Sequence, residues 1–200
     1  MAIRNFYCHF ERVKDELPCS IGLHPWHLDH YTWDWKMLCK YVQQPNVLAI
    51  GECGLDRVCA TDWDLQVKVF TEQIALANKC GKPMIVHCVR AFDEVLHMLQ
   101  IHPPVMPVIF HGYNKNKAVA EKLLERGFYL SFGAAILNES FPASGVLKSM
   151  PASRFFLETD DAETSIEDIY TRAAQIRNTD TESLILQVQK NFKKVFTTDD

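Results

Sequence analysis

The chain has no hydrophobic stretch that could cross a bilayer: no apolar run approaches the ~18–20 residues a spanning helix needs, so no membrane partner is expected. Paired cysteines are missing too. The seven cysteines are odd in number and scattered singly, with no Cys-x-x-Cys. That excludes a disulfide framework or a cysteine-built structural zinc site and points to reduced thiols. Residues 1–10 mix Arg4, Asn5 and His9 with apolar side chains, unlike a secretory signal, and a cytoplasmic location is expected. A net basic charge is also absent: the formal net charge is −4 and the pI about 6.1. This argues against a protein that grips duplex backbone broadly. Phosphodiester chemistry stays open where a bound metal supplies the local positive charge. No repeat, low-complexity tract or linker divides the 200 residues, so one domain over 1–200 is expected, long enough to bury a substantial core.

Short apolar or β-branched runs do recur, each followed by a polar loop and then a helical pattern. Candidate strands cover 3–9, 19–24, 47–52, 84–87, 108–111, 128–132 and 155–160. Leu65, Val67, Phe70, Ile74, Leu76 and Ala77 give one amphipathic helix, stopped by Gly81 and Pro83. Residues 91–101, 117–126 and 182–196 read as further helices. Strands alternating with helices predict a parallel sheet covered by helices. Between His9 and Cys19 there is room only for a short helical turn, where a full crossover needs at least ~10–12 residues. The expectation is therefore a compact, distorted TIM-like α/β barrel of about seven strands, lacking one regular unit.

Five candidate strands end in a residue able to bind metal: His24, Glu52, His87, His111 and Asp160. In a parallel barrel the C-terminal strand ends converge on one mouth, where catalytic groups sit. A single histidine there is commonly a hydrogen-bonded core residue, and a single acid commonly caps the next helix. Five in the same topological place predict a metal site. Nitrogen and carboxylate donors suit zinc, manganese, iron or, with water filling the sphere, magnesium.

Around these residues stand Gly22-Leu23-His24-Pro25, Gly51-Glu52-Cys53-Gly54-Leu55-Asp56, Met84 to Arg90, Phe110-His111-Gly112-Tyr113, Gly127 to Ser131 and Glu158-Thr159-Asp160. These motifs, in this order and over nearly the whole chain, resemble those of the TatD family of metal-dependent deoxyribonucleases. The resemblance implies that Glu52 is shared between two metal positions, that His87 and His111 complete one, and that Asp160 binds at the other and takes the proton of the attacking water. His24 would approach the metal pocket or the substrate phosphate, and Arg90 would help hold the phosphate. By its own chemistry Trp26 could offer a stacking face to an unpaired base, although a packed loop aromatic is the commoner role of such a residue. The substrate implied is DNA, as single strands or frayed ends, cleaved with magnesium, manganese or zinc.

Three departures bear on this. The family opens with Asp-x-His-x-His, where this chain has Asn5-Phe6-Tyr7-Cys8-His9, so only His9 matches. A neutral phenol is a poor ligand for a magnesium-like ion, so one metal is expected rather than two. The shortened first connection removes part of the mouth, and Asp161 sets a second acid beside Asp160, where it could raise that carboxyl's pKa. His27 and His30, spaced at threes from His24, read as loop positions. Cys53 and Cys88 read as packing residues. Lys115–Lys117 and Lys190–Lys194 read as solvated helix faces. Two alternatives stay open: a metal hydrolase acting on another ester, amide or aminoacyl-RNA bond, and a non-catalytic relative.

Overall fold

The computed structural model describes residues 2–15, 17–28 and 31–197; His30 lies outside them. They group into two compact units, Met1–Val108 and Ile109–Asp200. Seven strands and seven α-helices occur among the described residues.

In the first unit, β1 (Arg4–Phe6), β2 (Cys19–Ile21), β3 (Val47–Asp56) and β4 (Met84–Val89) pair in parallel and in chain order. Helix α1 (Tyr31–Tyr41) leads into β3, α2 (Trp63–Cys80) joins β3 to β4, and α3 (Phe92–Ile101) follows β4. Between β1 and β2 the described residues hold only a 3₁₀ turn, Phe10–Asp15, as the short spacing predicts. Every residue of β3 except Leu48 is buried, the mark of a strand covered on both faces.

β3 runs past its expected end at residue 52 to Asp56, so Glu52 lies inside the strand and Asp56 takes the terminal place. The cause is local. Gly54, at φ 148°, pairs with His87, and a Cβ there would stand 1.9 Å from the His87 carbonyl oxygen. Only glycine lets the two backbones lie that close. Gly22 serves the β2 side, where a Cβ would stand 2.7 Å from the Glu52 carbonyl oxygen.

Asp62 caps α2 by accepting from the Leu65 N–H at 2.9 Å, and Gly81 closes it with φ 62°. The face α2 buries differs from the predicted one. Phe70, Ile74, Leu76 and Ala77 are inside with Val69, but Leu65 and Val67 are half-buried and two glutamines, Gln66 and Gln73, are inside. The glutamines satisfy main-chain groups that the strand ends leave without ladder partners.

β5 (Val108–Phe110), whose first residue closes the first unit, is followed in the second unit by β6 (Tyr129–Phe132) and β7 (Phe155–Leu157), and the three pair in parallel and in chain order. Helix α4 (Lys117–Glu125) joins β5 to β6, and α5 (Ala143–Ser149) lies between β6 and β7. Helices α6 (Ile166–Arg177) and α7 (Thr181–Phe196) complete it. Its core gathers Phe110, Leu130, Phe132, Phe155, Ile169 and Leu184. Asn191 of α7 is buried and donates to the Ala152 and Phe155 carbonyls at 2.8 and 2.9 Å, tying that helix to the start of β7. No helix among the described residues is long and apolar enough to cross a membrane.

Candidate metal centre

The end of β2 is fixed before its histidine is reached. Gln73 accepts from the Leu23 N–H at 2.8 Å and donates to the Leu23 carbonyl at 3.1 Å. His24 follows, with only 5% of its surface exposed. Its Nδ1 accepts from the Trp26 backbone N–H at 3.2 Å, so the neutral ring carries its proton on Nε2. That Nε2 lies 3.8 Å from Glu52 Oε2.

Glu52 is 3% exposed. Its Oε1 accepts a short hydrogen bond from Asn5 Nδ2, and Asn5 Oδ1 in turn accepts from Ser20 Oγ at 2.5 Å. Three strands thus meet in one polar chain: β1 gives Asn5, β2 gives Ser20 and β3 gives Glu52.

His87, on β4, is also buried, and its Nε2 lies 3.0 Å from Asp56 Oδ2. Asp56 further accepts from Trp26 Nε1 at 2.6 Å and from the Val58 N–H at 2.7 Å. Burial pushes the Asp56 carboxyl up, but hydrogen bonds from Trp26, His87 and Val58 outweigh it and hold the group below its ordinary value. The charged carboxylate keeps the His87 proton on Nε2, which leaves Nδ1 with the lone pair a cation requires. Gln66 brackets Asp56 as Gln73 brackets Leu23, accepting from its N–H at 2.8 Å and donating to its carbonyl at 3.1 Å.

His24, Glu52 and His87 each offer one ligand atom, and the three atoms lie within 4.8 Å of one another. Two imidazoles and a carboxylate, all buried, are a donor set for a divalent metal. His87, with its proton held toward Asp56, keeps a lone pair on Nδ1. To ligate through Nε2, His24 would have to carry its proton on Nδ1 instead and give up the bond from the Trp26 N–H; as it stands it is arranged to donate.

Around this cluster, Tyr7 is half-buried with its ring centroid 5.3 Å from that of His24, while His27 is exposed. Trp26 is 54% exposed. His9 is not drawn in: its exposed ring turns to Glu11, Nδ1 standing 3.4 Å from Oε1, on a backbone with φ 53°. Arg90, exposed just past β4, has φ 52°.

In the second unit, His111 follows β5 directly and its Nδ1 lies 3.7 Å from Glu158 Oε1. Glu158 also accepts from the Gly112 N–H at 2.6 Å and from Ser131. Burial pushes the Glu158 carboxyl up, yet His111, Ser131 and Gly112 hold it below its usual value. Asp160, at φ 50°, moves the other way. Burial raises its carboxyl, and the charges of Glu158 and Asp161 add to that against the opposing pull of His111.

Sequence reasoning assigned no role to Asp56, Glu158, Gln66 or Gln73. The glutamines did leave a signal, since they stand seven apart in an otherwise apolar helix face.

A family model described as TatD related DNase matches residues 4–197. An uncharacterized metal-dependent hydrolase of Buchnera aphidicola is 28% identical, covering 98% of this chain and 80% of that protein. The 3′-5′ ssDNA/RNA exonuclease TatD of Cronobacter turicensis is 31% identical over 86% of this chain and 67% of its own length. For the Klebsiella pneumoniae protein of the same name the chain spans 62% of the relative's length. Among solved structures, the Escherichia coli TatD homolog YJJV superposes with a TM-score of 0.84 at 20% identity, covering 95% of this chain and 81% of that one. A TatD family hydrolase from Entamoeba histolytica gives 0.83 at 17% identity, covering 98% and 84%. These likenesses show the TIM-like α/β fold expected from the sequence.

Proposed function

Because the chain belongs to the TatD-related DNase family, we propose that it is a metal-dependent hydrolase that cleaves phosphodiester bonds in single-stranded or frayed DNA. The observation that carries this is the buried His24–Glu52–His87 cluster, with His87 oriented by a charged Asp56. The chemistry a divalent cation supplies when bound is acidification of water and polarisation of the phosphoryl oxygen. Glu52 and His87, with His111 and Asp160 of the second unit and the first-strand His9, are the ligand candidates under test. Magnesium, manganese and zinc all suit them.

Asp160 is assigned the proton of the attacking water, and its raised carboxyl makes it the stronger base for that task. His24 presents its Nε2 proton to the substrate phosphate, and Arg90, exposed beside β4, holds that phosphate. One metal is favoured over two. Asn5 occupies Glu52 Oε1 with a neutral amide, Tyr7 stands where a second histidine would ligate, and His9 faces Glu11. Relatives named as ssDNA/RNA exonucleases support an unpaired substrate. A cytoplasmic setting belongs to the same proposal, argued from seven singly scattered cysteines with no Cys-x-x-Cys.

The test is cleavage of single-stranded DNA by metal-stripped protein resupplied with each ion, beside a Glu52→Gln, Asp160→Asn double variant. Metal-dependent cleavage lost in the variant is expected. A folded protein that cleaves no DNA with any ion would overturn the reading. Hydrolysis of an ester or aminoacyl-RNA by that protein would then identify another hydrolase. Metal uptake with no hydrolysis would identify a non-catalytic relative, the reading the Asn5 and Tyr7 departures favour.

A further inference from the structure

Trp26 combines two properties that seldom go together. It is 54% exposed, yet it is anchored twice. Its backbone N–H donates to His24 Nδ1 at 3.2 Å, and its indole Nε1–H donates to Asp56 Oδ2 at 2.6 Å. An exposed tryptophan without such bonds pays rotamer entropy whenever a ligand orders it, whereas this one is already fixed. Packing does not explain it, since over half of the residue's surface is exposed. The imidazoles of His24 and His87 meet it at interplanar angles of 88° and 76°, with centroids 5.2 and 5.9 Å away. Neither stacks face to face upon it. A rigid aromatic surface is thus held open beside the two buried histidines.

We infer that Trp26 is the stacking platform for an unpaired base next to the scissile phosphate, an assignment that rests on the nuclease reading above. A nucleobase is flat, π-rich and apolar on its faces, and stacking is indifferent to sequence because every base has such a face. The bond to Asp56 fixes the platform relative to His87, so a base seated there places its own phosphate at the metal cluster.

Binding of fluorescein-labelled oligodeoxynucleotides with cleavage-resistant phosphorothioate linkages, followed by anisotropy in magnesium, tests this. The probes are an intact strand and strands carrying one abasic site at each of the last three 3′ positions. Trp26→Ala is expected to weaken binding of the intact strand roughly 5- to 150-fold. At one position the abasic site should weaken the wild-type protein similarly and cost the variant nothing more. Trp26→Phe, which keeps a ring but loses the N–H, should retain that base dependence. Equal loss on intact and abasic strands at every position would show that Trp26 acts only through Asp56, and would overturn the assignment, as would no loss at all. Wild-type protein that binds none of the strands would instead bring down the nuclease reading itself.

Discussion

A histidine offers a cation one of two nitrogens, and what faces the other decides which. For His87 that partner is Asp56, itself kept charged by three donors. Replacing Asp56 with alanine is expected to lower metal affinity about 10- to 100-fold. Chelator competition would measure this, with circular dichroism confirming the fold, and unchanged affinity would reduce Asp56 to a packing role. The cluster residues were legible because histidine and glutamate at predicted strand ends are unusual and carry metal chemistry in their own side chains. Asp56 was visible inside its motif, but its role runs through a contact with a residue on the next strand, and a contact of that kind leaves no trace in residue spacing. His9 is a different case. The motif names it, but nothing in the residue types announces the left-handed backbone that sets its ring beside Glu11.

Helix ends and helix faces differ in how openly they declare themselves. Asp180 caps α7, accepting from the Ser183 N–H at 2.7 Å. Chiefly that backbone bond, with the Ser183 side chain, holds its carboxyl below the usual value. A depressed carboxyl contributes stability that is complete above its unfolded pKa, about 4, and disappears as pH falls through the lower folded value. Wild-type protein should therefore exceed Asp180→Asn in urea midpoint at pH 7, and the gap should close on acidification below about 4. A gap independent of pH would refute the charged cap. The buried face of α2 was less legible. An apolar stripe predicts what a helix packs against, but Gln66 and Gln73 are inside because the backbones of Asp56 and Leu23 need partners there. That demand arises only once β2 and β3 have ended where they do. The extra length of β3 was hidden for a related reason, since Gly54 looks like a terminator until β4 is laid against it.

Across the molecule, the seven-strand α/β pattern and its short first connection could be read from periodicity alone, because both depend on local spacing. The grouping of contacts into two units could not, as it depends on which surfaces meet. Charge is the other property of the whole. With 25 acidic side chains against 21 Lys and Arg, the chain has no excess of cations for a phosphate backbone. Binding of single-stranded DNA should therefore respond weakly to salt, with a log–log slope shallower than about −2, or fewer than about three phosphates neutralised. Anisotropy titrations from low to physiological salt would read it, and a steep slope would mean an extended basic track. There is also a consequence for anyone who would make this protein heat-resistant. Arg90 and Asp160 keep side chains on left-handed backbone at φ 52° and 50°, a conformation costing on the order of 1–3 kcal/mol each. Glycine at either place would relieve that cost, so a screen scored by melting temperature alone would favour it. Such a screen would discard the side chains assigned to the phosphate and the proton, and the hardiest variants would be the ones least able to turn over substrate.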